Sequence, residues 1–387
     1  MFGVNEYVEI TKNQSSHFKV DELVTVCKRV NNAKRDYLFV NPLQGKHIPV
    51  SPSKAFEVFQ ELTDVVLQNM NRHEKIAVVG FAETATAIGY YLALHLPNCI
   101  YRTQTTRESI KDAVPCISFE EEHSHAVTQV LYADVEQLKC VDRILFVEDE
   151  ITTGNTILNF INAIRSQIPH MQFAVASILN WQSVKDAQVF KEKGIDTYYL
   201  VRGYLKNSNT KVHLSASCTV PLREIKKTTL PTHYVYTDVC NYKADRLGNT
   251  VALRLLDSAQ YEKVCKPLIE GVNNLLVLGT EEFMFAGLDL ACFIENTYGI
   301  NVKFHATTRS PITVSNENNY SITKGFKLIS AYDTSRYTYV YNLCNEYDKV
   351  IIVTDTNCTQ GFVNSLLGAL NAVGYTNKVE IVKYEGR

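Results

Sequence analysis

The stretch Arg143-Ile144-Leu145-Phe146-Val147-Glu148-Asp149-Glu150-Ile151-Thr152-Thr153-Gly154-Asn155-Thr156 joins a run of apolar residues to paired acids and a hydroxyl-rich turn around a glycine. Ile144 to Val147 show no polar alternation, which suits a parallel strand covered on both faces. The carboxyl end of such a strand is where open α/β sheets bind ligands. Thr152, Thr153, Gly154, Asn155 and Thr156 lead into a helical pattern through Ile157, Leu158, Phe160, Ile161 and Ile164. Backbone N–H groups at that helix start, helped by the helix dipole, suit an anion. Glu148 and Asp149 would repel the anion directly but suit the neighbouring diol of a ribose. One strand end is therefore expected to hold a sugar and a phosphate together. The plainer alternative is a pair of helix-capping acids and an ordinary strand-to-helix turn.

Working outward, the same kind of unit occurs earlier and then again later. Lys75-Ile76-Ala77-Val78-Val79-Gly80-Phe81-Ala82-Glu83-Thr84-Ala85 reads as a buried strand, a glycine turn and a helix, followed by Arg102-Thr103-Gln104-Thr105-Thr106-Arg107 at a strand end. The order returns as Leu275 to Glu282, a helix through Leu288, Leu290, Ala291 and Phe293, and then Phe304-His305-Ala306-Thr307-Thr308-Arg309. A third match sets Lys349 to Asp355 against Arg143 to Asp149. Three strand ends in one order indicate an internal duplication of an α/β unit. The second copy has Thr354 where the first has Glu148, and Asn357-Cys358-Thr359-Gln360-Gly361 replaces the threonine-rich loop. It is not expected to be a second sugar-phosphate site. Yet Glu281, Glu282, Arg309, Ser310, Tyr332 and Arg336 form a donor and acceptor mixture suited to a phosphate or carboxylate. The alternative there is a decayed copy kept for packing.

The 387 residues leave room for two or three domains, at about 150 residues each. Apolar residues at 45% and charged residues at 21% exclude a disordered chain. A net charge of -2 argues against a nucleic-acid binder held by a broad basic surface. The ten cysteines include no C-x-x-C pair, so neither a zinc site nor a dense disulfide framework is expected. No basic segment followed by an apolar core opens the chain, and no apolar run approaches the roughly 18 residues of a membrane helix. The expectation is a cytoplasmic protein with neither membrane nor nucleic-acid partner. Trp181, Tyr198 and Tyr199 are expected in the core.

The segment 143–156 resembles the phosphoribosyl-pyrophosphate motif of type I phosphoribosyltransferases. The whole chain resembles the phosphoribosyltransferase family with a C-terminal domain named for its Thr-Arg-Ser-Pro signature, found encoded with tellurium-resistance stress genes. The residues carrying that resemblance are Gly45-Lys46-His47-Ile48-Pro49-Val50, Gly80 to Ala85, Thr105-Thr106-Arg107-Glu108, Glu121-Glu122-His123-Ser124-His125, the Glu148-Asp149 loop, Asp245-Arg246-Leu247-Gly248, Gly279 to Glu282 and Thr308-Arg309-Ser310-Pro311. The resemblance implies a type I phosphoribosyltransferase fold, an open and mostly parallel sheet with helices on both faces plus a hood. It implies a second, degenerate α/β domain of the same kind. The expected division is 1–228 and 229–387.

The resemblance further implies that Glu148 and Asp149 contact the ribose hydroxyls and, through ribose or water, a magnesium ion. Thr152, Thr153, Gly154, Asn155 and Thr156 would cradle the 5-phosphate. Phe81, Ala82, Glu83 and Thr84 occupy the place of the pyrophosphate loop, and Arg107 could clamp a phosphate in two-pronged fashion. A surface ion pair of Arg107 with Glu108 or Glu120 is the alternative. Residues 109–128 fall where a lid would. Their His123 and His125 are acid/base candidates, against a plain solvated loop or a zinc reading that lacks a third ligand. Lys46 and His47 lie in the hood segment and could meet the acceptor, although a histidine in a proline-bounded turn also serves structure.

Implied activity is transfer of ribose 5-phosphate from phosphoribosyl pyrophosphate to an unidentified, nucleobase-like or other acceptor, in making a nucleoside-like metabolite linked to stress or tellurium resistance. A regulator sensing the donor without reacting is the alternative, disfavoured by the lack of a helix-turn-helix segment or basic N-terminal arm. A third reading places the activity in the C-terminal half. A homodimer is one expected assembly, which a fused second copy could replace.

Overall fold

The computed structural model describes residues 4–30, 36–108, 110, 117–119, 129–206, 212–225, 234–243, 247 and 255–385. Six strands build the first sheet's core: β1 Val8–Asn13, β2 Ile76–Gly80, β3 Cys99–Thr106, β4 Arg143–Ile151, β5 Gln172–Asn180 and β6 Ile195–Leu205. Their spatial order is β1-β6-β5-β4-β2-β3, and the short strands Gln129–Leu131 and Ile117–Phe119 extend the far edge. β6, β5, β4, β2 and β3 are parallel to one another, while β1 runs antiparallel to β6. The apolar run Ile144 to Val147 is fully buried in the centre, as a strand covered on both faces must be. β4 continues beyond that run, carrying Glu148 and Asp149 on its last residues.

The second sheet contains β7 Tyr234–Lys243, β8 Asn274–Gly279, β9 Asn301–Ala306, β10 Lys349–Thr354 and β11 Val379–Glu385, in the spatial order β7-β11-β10-β8-β9 and parallel throughout. Four neighbours, β11-β10-β8-β9, repeat the arrangement β5-β4-β2-β3 of the first sheet, in the same chain order. The fifth position is filled differently. β6 follows β5 in the chain, whereas β7 precedes β8. Five helices matter for the site: α1 Pro52–Asn69, α2 Ala85–His95, α3 Asn155–Gln167, α4 Met284–Tyr298 and α5 Gln360–Ala372. α2 follows β2 as α4 follows β8, and α3 follows β4 as α5 follows β10.

The two α/β units share a core. β8 alternates, with Leu275 and Val277 joining the apolar cluster that fills the first unit, and Leu276 and Leu278 facing a second cluster with Phe362 and Leu366 of α5. That period of two is what a strand with two covered faces dictates. α2 packs on α4. The hairpin of Thr25–Lys28 with Tyr37–Val40, whose second strand opens the expected hood segment 37–50, packs Cys27 and Val40 against Ile312, Val314, Tyr320 and Tyr341 of the second half. Val50 pairs with Phe304 across the same boundary. Gly45 in that turn has φ +73, and a Cβ there would approach Phe304 Cδ1 to 2.4 Å, so only glycine fits. Thr219–Val220 and Arg223–Glu224 pair with Val314–Ser315 and Gly325–Ile329 of the second half. Among the described residues no helix is long and apolar enough to cross a membrane. Trp181 and Tyr198 are buried, and Tyr199 is half-buried.

Candidate active site

The end of β4 turns through Thr152 and Thr153 into Gly154, whose φ of +79 opens α3. A Cβ on Gly154 would come within 2.5 Å of the Phe190 ring, so the left-handed turn and the close approach both demand glycine. Thr153 and Asn155 are exposed, Thr152 and Thr156 half-buried, and the Thr153 hydroxyl accepts from the Asn155 N–H at 3.4 Å. The five residues thus lie at the N-terminus of a 13-residue helix, whose first N–H groups have no intrahelical partner.

Glu148 and Asp149 stand beside this turn. Burial pushes the Glu148 carboxyl well above its ordinary range, and the adjacent Asp149 charge pushes it further, while Arg107 and Lys46 partly offset both. Two cations from distant parts of the chain thus favour the ionised form of one carboxyl. Lys46 leaves the turn at Gly45 to donate from Nζ to the Thr84 hydroxyl at 2.5 Å and stands 3.8 Å from a Glu83 oxygen. That puts Lys46 at the Phe81–Thr84 turn. His47, its neighbour, points elsewhere: it is buried, its ring centre lies 6.0 Å from that of Tyr341, and burial, then Lys46 and His305, hold its pKa well below 6.5.

The turn Phe81-Ala82-Glu83-Thr84 is buried, and its first backbone donors are already engaged. Phe81 N–H donates to the Val147 carbonyl and Ala82 N–H to the Thr105 hydroxyl, each at 2.9 Å. The Phe81 ring packs between Phe146 and Phe160. Gln129 ties the end of the expected lid to this turn, donating to the Ala82 carbonyl at 3.0 Å and accepting from Thr105 at 2.7 Å. An open donor lies on the Arg107 side chain: its Nε is buried and has no hydrogen-bond partner among the described residues. Glu108, the ion-pair partner weighed for Arg107, instead binds Arg309 and Arg336 of the second unit. Glu120, His123 and His125 lie outside the described residues.

Of the second-unit candidates, Glu281, Arg309 and Arg336 satisfy one another, while the others bind residues elsewhere. The Glu281 carboxylate accepts from Arg309 Nε at 3.1 Å and from Ser330 at 2.7 Å, and pairs with Arg336 at 2.7 Å. Burial lowers the Arg309 pKa, yet Glu282, Glu281, Glu108 and Glu83 more than reverse that. Tyr332 donates to Asp355 at 2.9 Å, and Ser310 uses its backbone carbonyl to accept from Tyr341 at 2.8 Å.

Sequence reading missed the exchange of carboxylates across the boundary. Glu83 accepts from the Thr308 hydroxyl at 3.1 Å and the Arg309 N–H at 3.2 Å, while Glu282 accepts from the Thr106 hydroxyl at 2.5 Å and the Arg107 N–H at 2.9 Å. The signal was present in the pairing of Glu83 with Glu282 and of Thr106-Arg107 with Thr308-Arg309 in the repeat. Among the described residues no group of three His, Cys, Asp or Glu side chains gathers as a metal cage. Glu148 and Asp149 fit a magnesium ion held mainly by oxygens of a bound ligand and water.

Residues 23–201 match the family model PRTase_2, described as "Phosphoribosyl transferase", and residues 245–370 match the one described as "TRSP domain C terminus to PRTase_2". No curated protein matches the chain. Solved structures similar to it include the adenine phosphoribosyltransferase of Giardia lamblia complexed with 9-deazaadenine, at 16% identity, 46% of this chain, 93% of that one and a TM-score of 0.32. The adenine phosphoribosyltransferase of Trypanosoma brucei, in complex with AMP, pyrophosphate and ribose-5-phosphate, gives 12%, 51%, 87% and 0.33. The orotate phosphoribosyltransferase of Aeropyrum pernix gives 16%, 46%, 86% and 0.29. At such scores these likenesses add nothing to the two family matches.

Proposed function

We propose that this chain, a phosphoribosyltransferase with a C-terminal TRSP domain, binds phosphoribosyl pyrophosphate between the β4 turn and Arg107 and passes its ribose 5-phosphate to an acceptor. The observation that carries this reading is the placement of Glu148 and Asp149 at the end of β4, directly before the Gly154 turn that opens α3, with Lys46 bound to Thr84 of the Phe81–Thr84 turn. Each part of the donor then meets a matching group. Thr152, Thr153, Gly154, Asn155 and Thr156 receive the 5-phosphate, Glu148 and Asp149 the ribose hydroxyls, and Arg107 with Lys46 the pyrophosphate.

In the reaction the bond from the ribose anomeric carbon to pyrophosphate breaks, its electron pair leaves with pyrophosphate, and the acceptor forms the new bond at that carbon. Developing positive charge on the ribose lies beside the carboxyls, and developing negative charge beside Arg107 and Lys46, an arrangement that favours the transition state over the ground state. Magnesium, when bound with the donor, would supply further charge neutralisation at the pyrophosphate.

The division into 1–228 and 229–387 and the origin of the second unit as a degenerate duplicate belong to the same proposal, supported by the shared order β5-β4-β2-β3 and β11-β10-β8-β9. So do a cytoplasmic setting, a homodimer, and a place in making a nucleoside-like metabolite linked to stress or tellurium resistance. A donor-sensing regulator is the second reading. The deciding experiment is a pyrophosphate-release assay with magnesium and pooled candidate acceptors. Release by wild type and none by Glu148→Ala/Asp149→Ala supports the enzyme and this site; equal release by both proteins removes the carboxyls from it.

A further inference from the structure

Each unit carries the same small framework at its strand ends. Ala82 N–H donates to Thr105 and Glu281 N–H to Thr307, at 2.9 and 3.1 Å. Glu108 N–H donates to Thr106 and Ser310 N–H to Thr308, at 3.0 and 3.1 Å. Arg107 and Arg309 are therefore equivalent, as are Ala82 and Glu281. The equivalence exposes one difference. In the second unit the arginine Nε donates to the Glu281 carboxylate, whereas in the first the equivalent residue is Ala82, which has no carboxylate, and the Arg107 Nε has no partner among the described residues. The second unit fills its own anion cradle; the first leaves its cradle open.

We propose that the second domain acts as a built-in partner subunit, and that its Glu282 is a positioning residue that holds Arg107 toward the departing pyrophosphate. This rests on the donor site proposed above. Glu282 is almost fully buried and grips both the Thr106 hydroxyl and the Arg107 N–H, so it fixes the backbone from which the arginine projects. Hydrogen bonds to an ionised carboxylate are stronger than neutral ones. The same unit cannot itself take up a phosphate at the equivalent place, because Glu281 occupies it with Arg309, Arg336 and Ser330 already bound. The duplication thus yields one open site and one closed site whose parts support the open one.

The test is calorimetric titration of the full chain with two probes, inorganic pyrophosphate with magnesium and ribose 5-phosphate. Glu282→Ala is expected to weaken pyrophosphate binding by about tenfold or more while ribose 5-phosphate, held at the Gly154 turn, stays within about twofold of wild type. Glu282→Gln, isosteric and able to keep one of the two bonds, gives the same split at smaller size and serves if the alanine variant does not fold. Unchanged pyrophosphate binding, or equal loss of both probes, overturns the positioning role. Wild type binding neither probe overturns the donor-site reading beneath it, and the two failures are distinguished by the wild-type titration alone.

Discussion

Glu83 of the first unit accepts the backbone N–H of Arg309 in the second, at 3.2 Å, and the equivalent Glu282 returns the contact to Arg107 at 2.9 Å. Contacts of this reciprocal kind are those of a two-fold symmetric interface, in which residue i meets j and j meets i. Here both sides belong to one chain. The shared apolar cluster and the packing of α2 on α4 make the interface continuous with the core.

The Glu281 carboxylate predicts what would close the open cradle. Ala82→Glu places a carboxylate where Glu281 sits in the second unit, within reach of the unpartnered Arg107 Nε. Pyrophosphate affinity should fall by about a hundredfold, consistent with a buried, charge-assisted pair of 2–3 kcal/mol. Ribose 5-phosphate binding should persist. Calorimetry with both probes checks it.

Glu148 should trade stability for activity. Its folded pKa is raised above the ordinary 4.5, so its stabilising contribution is present below that pH and is lost as pH rises through the folded pKa. Glu148→Gln should therefore be more stable than wild type at neutral pH, with the difference vanishing under acid conditions. Urea unfolding across pH measures this, and turnover should be lost.

Gly154→Ala forces a Cβ into the Phe190 ring at a left-handed turn. A destabilisation of about 1–3 kcal/mol is expected, with weaker ribose 5-phosphate binding from displacement of the turn. Thermal unfolding and titration with ribose 5-phosphate read the two effects separately.

Two buried histidines at the boundary should make the fold acid-sensitive. Burial lowers His305 below 6.5 despite the two carbonyls, of Gly45 and Tyr341, that lie 2.8 Å from its nitrogens; His47 is lowered further by burial and its cationic neighbours. A depressed folded pKa means stability present above 6.5 and lost as pH falls through the folded value. His47→Phe, beside Tyr341, should flatten the decline seen in unfolding curves taken on the acid side of neutrality.

The segment 143–156 was legible because strand, acids, glycine and helix start follow one another locally, and each step has its own residue signature. The repeat was legible for the same reason, three strand ends in one order. Lys46 was not: it meets Thr84 only because the turn at Gly45 folds back onto a segment 38 positions away in sequence. Glu282 and Thr106 are 176 positions apart, and nothing local in either segment announces the other. The engaged N–H groups of Phe81 and Ala82 also depend on tertiary partners, which is why a glycine turn that reads as an anion loop leaves its open donor on Arg107.

The most direct test of the central claim is calorimetric titration of phosphoribosyl pyrophosphate with magnesium into wild type and into Glu148→Ala/Asp149→Ala. The account predicts saturable binding by wild type and loss of that binding in the variant, with the melting temperature retained. Binding of equal strength by both proteins, or by neither, would contradict a donor site built on the end of β4.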